Sequence, residues 1–390
     1  MLRIVLLFTA IFYTTIATHA QWTSVSTGTT SMYESIYFFD TNNGIASSTS
    51  DVLKTSNGGA SWTVVNTTGI RDIDFTSSSV GFASGLSGSS LKKTTDGGAT
   101  WSPLTPLGSN VLWGVSVVDA STAYVCGANG AVWKTINSGA SFSAVNISTT
   151  NTIIDLQFLN ASVGCALEIT GRVWKTSDGG STWTITFATV GIYFNSIFFV
   201  NSTTGFVVGS DGTILKTIDA GTSWTTLTSG SLAYLQYVDF YDVNNGIAAG
   251  LGGVILRTTN GGTSWFQENT GTSMSLYSCI LLSPTSAVAA GINGTMIRNS
   301  SMGNGIEQLS SNDNISVFPN PATNMLTIKI PENHQSAFKV SFYNVQGQLL
   351  IEKPILQPKT EIDVSLLADG VYYIRVEDKD RISIKKFIKE

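Results

Sequence analysis

The sequence predicts an all-β protein: a seven-bladed β-propeller of four-stranded blades, followed by a small C-terminal β-sandwich domain. Three observations predict it. A short motif recurs at a near-constant interval. Each interval holds four short apolar stretches bounded by turn residues. The composition is poor in charge, at 12%, where a soluble domain usually carries about a quarter.

The repeated motif is a basic residue, Thr, two residues, Gly, Gly, one residue, Ser or Thr, then Trp. It reads Lys54-Thr55-Ser56-Asn57-Gly58-Gly59-Ala60-Ser61-Trp62 in its first copy. It returns from Lys93 to Trp101, Lys134 to Phe142, Lys175 to Trp183, Lys216 to Trp224 and Arg257 to Trp265. Arg298 opens a seventh copy that has lost its Trp. The basic residues at 54, 93, 134, 175, 216, 257 and 298 are 39 and then five times 41 residues apart. A period near 40 with several strands per unit is the signature of a propeller blade.

Within a unit the strands follow in order. In the fifth, Ser196-Ile197-Phe198-Phe199 is the innermost and Gly205-Phe206-Val207-Val208-Gly209 the second. Thr213-Ile214-Leu215-Lys216 leads into the motif, and Trp224-Thr225-Thr226-Leu227 is the fourth. No helical period appears here.

The motif itself is a hairpin device. Asn57, Asp96, Asn137, Asp178, Asp219 and Asn260 accept hydrogen bonds from the turn's own backbone, Gly permits positive φ, and Trp covers the hairpin. These residues are expected to be structural, since one ligand site has no use for six copies. The element resembles the Asp box of sialidases and related propellers.

The chain ends predict how the ring closes. Trp22 lies 40 residues before Trp62, so residues 22–26 read as a fourth strand without its first three. The segment from Tyr277 to Arg298 reads as three strands without a fourth. Joining them completes a seventh blade and protects an otherwise open edge.

Residues 1–20 read as a signal peptide. Arg3 gives the positive start, Ile4 to Ile16 is mostly apolar, and Thr18 and Ala20 suit a cut after Ala20. The apolar run is too short to span a bilayer. Residues 21–303 are then the propeller, 304–314 a linker, and 315–390 a tail in which charge rises and apolar and polar residues alternate, as in a small β-sandwich.

The tail resembles the type A sorting domain of the type IX secretion system. The resemblance rests on Val317-Phe318-Pro319-Asn320-Pro321-Ala322, Phe342-Tyr343-Asn344-Val345-Gln346-Gly347, Asp363 through Tyr373, and the basic end Lys385-Lys386-Phe387-Ile388-Lys389. It implies a Gram-negative bacterium of the Bacteroidota and passage through the periplasm. It also implies handling by the type IX machinery through residues 315–390, and a secreted product, extracellular or on the outer-membrane surface. The repeats resemble the family of the photosystem II assembly factor. A photosynthetic role conflicts with such a tail and is not carried over.

For function, the sequence points away from several classes. A net charge of −5 and a pI near 5.1 disfavour nucleic acid. Cys126, Cys165 and Cys279 are odd in number, lie in no metal spacing and fall at apolar strand positions, so neither a disulfide framework nor a metal is expected. No cofactor is expected. The only histidines are His19 and His334, which leaves the mature propeller without the commonest general base. Arg257 and Arg298 occupy the repeated basic position. Only Arg71 and Arg172 then remain, against the three arginines of sialidases. Asp72 and Asp155 share a repeat position two blades apart and keep a glycosidase pair conceivable. Five equal intervals leave no blade with a long catalytic loop.

A non-catalytic binding or scaffold role is therefore expected, with a secreted glycan-degrading enzyme as the alternative. The position just before each innermost strand is expected at the channel mouth: Glu34, Arg71, Trp113, Ile154, Asn195, Gln236 and Tyr277. Its predecessor stays apolar throughout: Tyr33, Ile70, Leu112, Ile153, Phe194, Leu235 and Leu276. The varied ring is the expected ligand site, for a protein or glycan the sequence does not name.

Overall fold

The computed structural model describes residues 22–85, 90–105, 107–108, 110–302, 315–330, 338–344, 349–355, 357–377 and 382–390. The expected signal peptide over 1–20 and linker over 304–314 lie outside these residues, as do Val345, Gln346 and Gly347 of one tail motif. Contacts divide the chain into two compact units, Met1–Asn304 and Gly305–Glu390.

The first unit contains, among the described residues, seven four-stranded antiparallel sheets. We number them as blades by their innermost strands: Tyr33–Phe38, Asp72–Phe75, Leu112–Val117, Ile153–Phe158, Phe194–Phe199, Leu235–Phe240 and Leu276–Ser283. Each innermost strand packs against its neighbour in the next blade, and that of blade 7 packs against that of blade 1. The ring thus returns on itself. Thr23–Ser24 is the fourth strand of blade 7, pairing Thr23 with Arg298 and Ser24 with Ile297. Trp22 is 3% exposed, packed with Ile247, Leu276 and Ile297.

A three-residue cassette explains the blade sequence. The last residue of the inner strand faces the first of the second strand: Phe38 faces Gly44, Phe75 faces Gly81, Phe158 faces Gly164, Phe199 faces Gly205 and Phe240 faces Gly246. A methyl group on any of these glycines would stand 2.4–2.8 Å from the Phe ring, closer than carbon atoms approach. The Phe then meets the motif Trp edge-on, for example Phe158 on Trp183 at 5.9 Å and 89°. Where the Phe is missing, the Gly is missing too. Val117 faces Ala123 in blade 3 and Leu281 faces Ala287 in blade 7. Each pair is sized to fill the same volume.

The motif turns are self-contained. Asp96 Oδ1 accepts from the Thr100 N–H at 2.9 Å and the Thr94 hydroxyl at 2.8 Å, and Oδ2 from the Thr100 hydroxyl at 2.5 Å. These bonds hold Asp96, Asp178 and Asp219 down at about 2. Asn57, Asn137 and Asn260 repeat the pattern, with the side-chain amide donating to Ser61, Ser141 and Ser264.

The basic residue of the motif reaches across to the next blade. Lys93 donates to the Ser138 carbonyl at 2.7 Å, Lys134 to Gly179 at 3.1 Å and Lys216 to Gly261 at 2.6 Å. Arg298 closes the circle by donating to the Gly58 carbonyl at 2.6 Å. The acceptor is each time the residue after the motif Asp or Asn. Arg257 reaches the Pro284 carbonyl instead, at 2.9 Å, because the seventh motif has decayed.

The second unit is a sandwich. One sheet holds Ser316–Phe318, Met325–Lys329 and Lys359–Asp363; the other holds Leu349–Ile355, Phe338–Tyr343, Gly370–Glu377 and Ile382–Lys389. Leu326, Ile328 and Ile362 from the first share a core with Val340, Phe342, Ile374 and Phe387 from the second. Asn320 of the Pro-Asn-Pro motif accepts from the Ile388 N–H at 2.9 Å and donates to the Lys386 carbonyl at 3.1 Å. The motif and the basic C-terminal strand are therefore one structural feature.

Trp22→Ala is expected to cost the propeller about 3–5 kcal/mol, the usual range for a buried Trp, read as a lower chemical-denaturation midpoint. An unchanged midpoint would show that this strand does not hold the ring shut.

Candidate functional site

The apolar ring predicted from the repeat anchors the site. Tyr33, Ile70, Leu112, Ile153, Phe194, Leu235 and Leu276 are all 0% exposed. The residue after each is expelled from the ladder. Tyr33 pairs with Ser48 and Ser35 with Ser47, which leaves Glu34 with no partner. The same slip leaves Ile154, Asn195, Gln236 and Tyr277 unpaired. In blade 3 it falls on Trp113 and Gly114. In blade 2 the Arg71 N–H donates to the Ser84 carbonyl at 2.8 Å while Asp72 pairs with the same residue.

The varied ring is thus a ring of β-bulges. The structure corrects its expected position just ahead of the strand: six of the seven lie inside the strand, and only Arg71 precedes it. A bulge supplies one extra residue and turns its side chain out of the pleat. All seven side chains line one cavity of about 560 Å³ on the channel. This is the size range of small-molecule sites.

The ring is not uniform. Arg71 Nε lies 3.1 Å from Glu34 Oε2, and its guanidinium carbon stacks 3.8 Å above the Trp113 ring. Arg71 Nη1 is buried with no hydrogen-bond partner among the described residues. Burial pushes the Glu34 carboxyl up, and Arg71 pulls it partly back. Across the ring, Asn195 donates to the Leu235 carbonyl at 2.6 Å, so blade 5 is tied to blade 6.

Below the mouth, alternate residues of the inner strands form two deeper rings. They contain Asp72 and Asp155, then Asp74, Ser116, Gln157 and Asp239. Sequence reasoning singled out Asp72 and Asp155 as a conceivable catalytic pair. The structure gives them a different partner, the free edge of the next blade. Asp72 Oδ2 accepts from the Val115 N–H at 2.9 Å, Asp74 from Val117 at 2.6 Å and Asp155 from Ile197 at 2.9 Å. Gln157 accepts from Phe199 at 2.7 Å and Asp239 from Leu281 at 2.7 Å. Ser116 accepts from Phe158 at 3.0 Å, and Ser278 from Ile36 at 3.1 Å, across the closure. The sequence signal was the i, i+2 spacing of polar residues, Asp72 with Asp74 and Asp155 with Gln157, on strands otherwise apolar.

These carboxylates face a narrow protein-walled channel rather than bulk water. That enclosure pushes Asp72 up to about 6, Asp74 and Asp239 to about 7, and Asp155 to about 8. Raised values mean that the folded chain holds these protons more tightly than the unfolded one. Their contribution to stability is full below about pH 4 and is lost as pH rises through 6 to 8. The motif aspartates act oppositely and lose their contribution below about pH 4. The propeller is expected to melt higher at pH 5 than at pH 8, and Asp74→Asn with Asp155→Asn to flatten that difference. A melting temperature that rises from pH 5 to pH 8 would contradict the assignment.

Comparison with known proteins follows the same division. Residues 316–390 match the family of the secretion system C-terminal sorting domain. Residues 136–230 and 187–276 match the family of the photosynthesis system II assembly factor YCF48. No curated protein matches the chain. Among solved structures, YCF48 bound to a D1 peptide superposes with a TM-score of 0.60 at 18% identity, over 72% of this chain and 96% of that one. YCF48 from Cyanidioschyzon merolae gives 0.59 at 19%, over 72% and 98%. The GH74 enzyme of Niastella koreensis gives 0.61 at 13%, over 93% and 74%. Identities this low establish the fold and nothing finer. Among the described residues no helix is long and apolar enough to cross a membrane. The tail marks the protein for type IX secretion to the cell surface or beyond. The chain is an all-β propeller with repeats of the YCF48-like kind, ending in a secretion sorting domain.

Proposed function

We propose that this is a secreted, non-catalytic binding propeller that holds its ligand in the channel mouth, on Glu34, Arg71, Trp113, Asn195, Gln236 and Tyr277. One observation carries the reading: the residue that follows the fixed apolar ring differs in every blade, and all seven of these residues line one cavity. A residue held by the core keeps its character from blade to blade. The ring before it does, being apolar in all seven blades. YCF48 with its D1 peptide shows that a propeller of this fold can hold a ligand.

The propeller ring and its sorting tail divide the work. The tail at 315–390 engages the type IX machinery, and residues 21–303 are the cargo that binds. Delivery past the periplasm to the outer-membrane surface is part of this proposal.

A second reading is favoured by the likeness to GH74 enzymes and by the raised carboxyls in the channel. It makes the protein a glycan-degrading enzyme. Against it stands the occupancy of those carboxyls. Asp72, Asp74, Asp155 and Asp239 each already accept a backbone N–H from the next blade. Hydrolysis of any substrate in a broad panel of polysaccharides and sialosides by the mature chain would favour the enzyme. For the binding reading, Trp113→Ala with Tyr277→Ala is expected to abolish recovery of the partners captured from the cell surface. Aromatic anchors commonly carry 2 kcal/mol or more each, about thirtyfold in affinity. An unchanged partner set would move the site elsewhere.

A further inference from the structure

We propose that the ligand held at the channel mouth is a neutral glycan, whose hydroxyls bridge Arg71 and Glu34. This rests on the binding reading above and names its ligand class.

The first argument is an unmet donor. Arg71 Nη1 is buried with no hydrogen-bond partner among the described residues, and Nε faces Glu34 at 3.1 Å without the alignment of a hydrogen bond. A buried donor left unpaired is costly, and a guanidinium has five N–H groups to satisfy. The guanidinium is held from two sides, with its central carbon 3.8 Å over the Trp113 ring and Nε 3.1 Å from Glu34. Its free N–H groups therefore present a fixed demand for an acceptor oxygen.

The second argument is the sign of the surroundings. Glu34, Asp72, Asp74, Asp155 and Asp239 line the cavity with Arg71 as the single basic residue among its lining. Glu34 at 3.1 Å already balances the Arg71 charge, so an incoming carboxylate or phosphate would bring an unbalanced negative charge into a low-dielectric enclosure. The acceptor is therefore an uncharged oxygen.

The third argument is the pairing of donor and acceptor. Arg71 offers N–H groups and Glu34 offers carboxylate oxygens, side by side on adjacent blades. A hydroxyl accepts from the first and donates to the second through one oxygen atom. Adjacent hydroxyls on a sugar ring repeat that offer at a fixed spacing. The apolar faces of the ring suit the aromatic residues of the lining, Trp113, Tyr237 and Tyr277 among them.

The test is calorimetric titration of the mature full-length protein with cellohexaose, xylohexaose, mannohexaose, laminarihexaose and maltohexaose. A sulfated glycan and an extended-peptide pool are run beside them. At least one neutral oligosaccharide is expected to bind and to weaken by about tenfold or more in Trp113→Ala, and likewise in Glu34→Gln with Arg71→Met. The paired substitution removes both charges together and leaves no unpaired carboxylate, and its melting temperature shows whether the fold is kept. Failure of all five neutral sugars overturns the proposal. If the peptides or the sulfated glycan bind instead and respond to the same substitutions, the ligand class is wrong while the mouth remains the site. If a sugar binds and ignores both variants, the mouth itself is wrong.

Discussion

Seven innermost strands each pair on one side only, so each presents a row of backbone N–H groups at a free edge. In a solvated sheet such an edge invites pairing with another chain; in the middle of a ring it would leave buried donors unmet. Among the described residues, side chains from the preceding blade cap five of these seven edges, through Asp72, Asp74, Ser116, Asp155, Gln157, Asp239 and Ser278. A second belt runs at larger radius, where Lys93, Lys134, Lys216 and Arg298 donate to turn carbonyls of the next blade. The inner belt supplies acceptors and the outer belt supplies donors. Both cross the closure between blades 7 and 1, so that junction is joined by polar bonds as well as by packing.

This division of labour leaves one position free. The apolar residue that opens each inner strand is fixed by the core. The residues two and four further on are held to capping or packing duties by the neighbouring blade. The bulge between them is bonded to nothing the repeat requires. It is Glu34, Arg71, Trp113 or Tyr277 in different blades, and no two blades carry the same residue there. The carboxylates deeper in the channel are held close to neutrality by enclosure yet kept in place by the N–H groups they accept. Their unusual acidity is thus a consequence of building a ring rather than a mark of catalysis.

Much of this was legible in the sequence because the repeat acts as an internal alignment. The period gave the blades, and the displaced Trp22 gave the closure. The equivalence of Tyr33, Ile70, Leu112 and their counterparts marked the fixed ring and, beside it, the varied one. What the sequence did not disclose was relational. The bulge is a one-residue slip between paired strands, invisible in a strand read alone, so the sequence by itself puts the varied ring ahead of the strand. Asp72 and Asp155 looked like a separated catalytic pair because each one's partner is a backbone N–H some 42 residues ahead, and main-chain groups carry no sequence signal. The Phe–Gly correlation, by contrast, was present in the letters all along. Val117 with Ala123 and Leu281 with Ala287 break it in step, but its cause needed the facing register.

The capped edge is the constraint on which the ring, its rigidity and its free bulge positions depend. Amide-resolved hydrogen exchange on the mature protein measures it directly. The account predicts that the amides of Ile36, Val115, Val117, Phe158, Ile197, Phe199 and Leu281 exchange only with global unfolding, as slowly as those inside the blades. Fast exchange at these seven, with the blade interiors still protected, would contradict it.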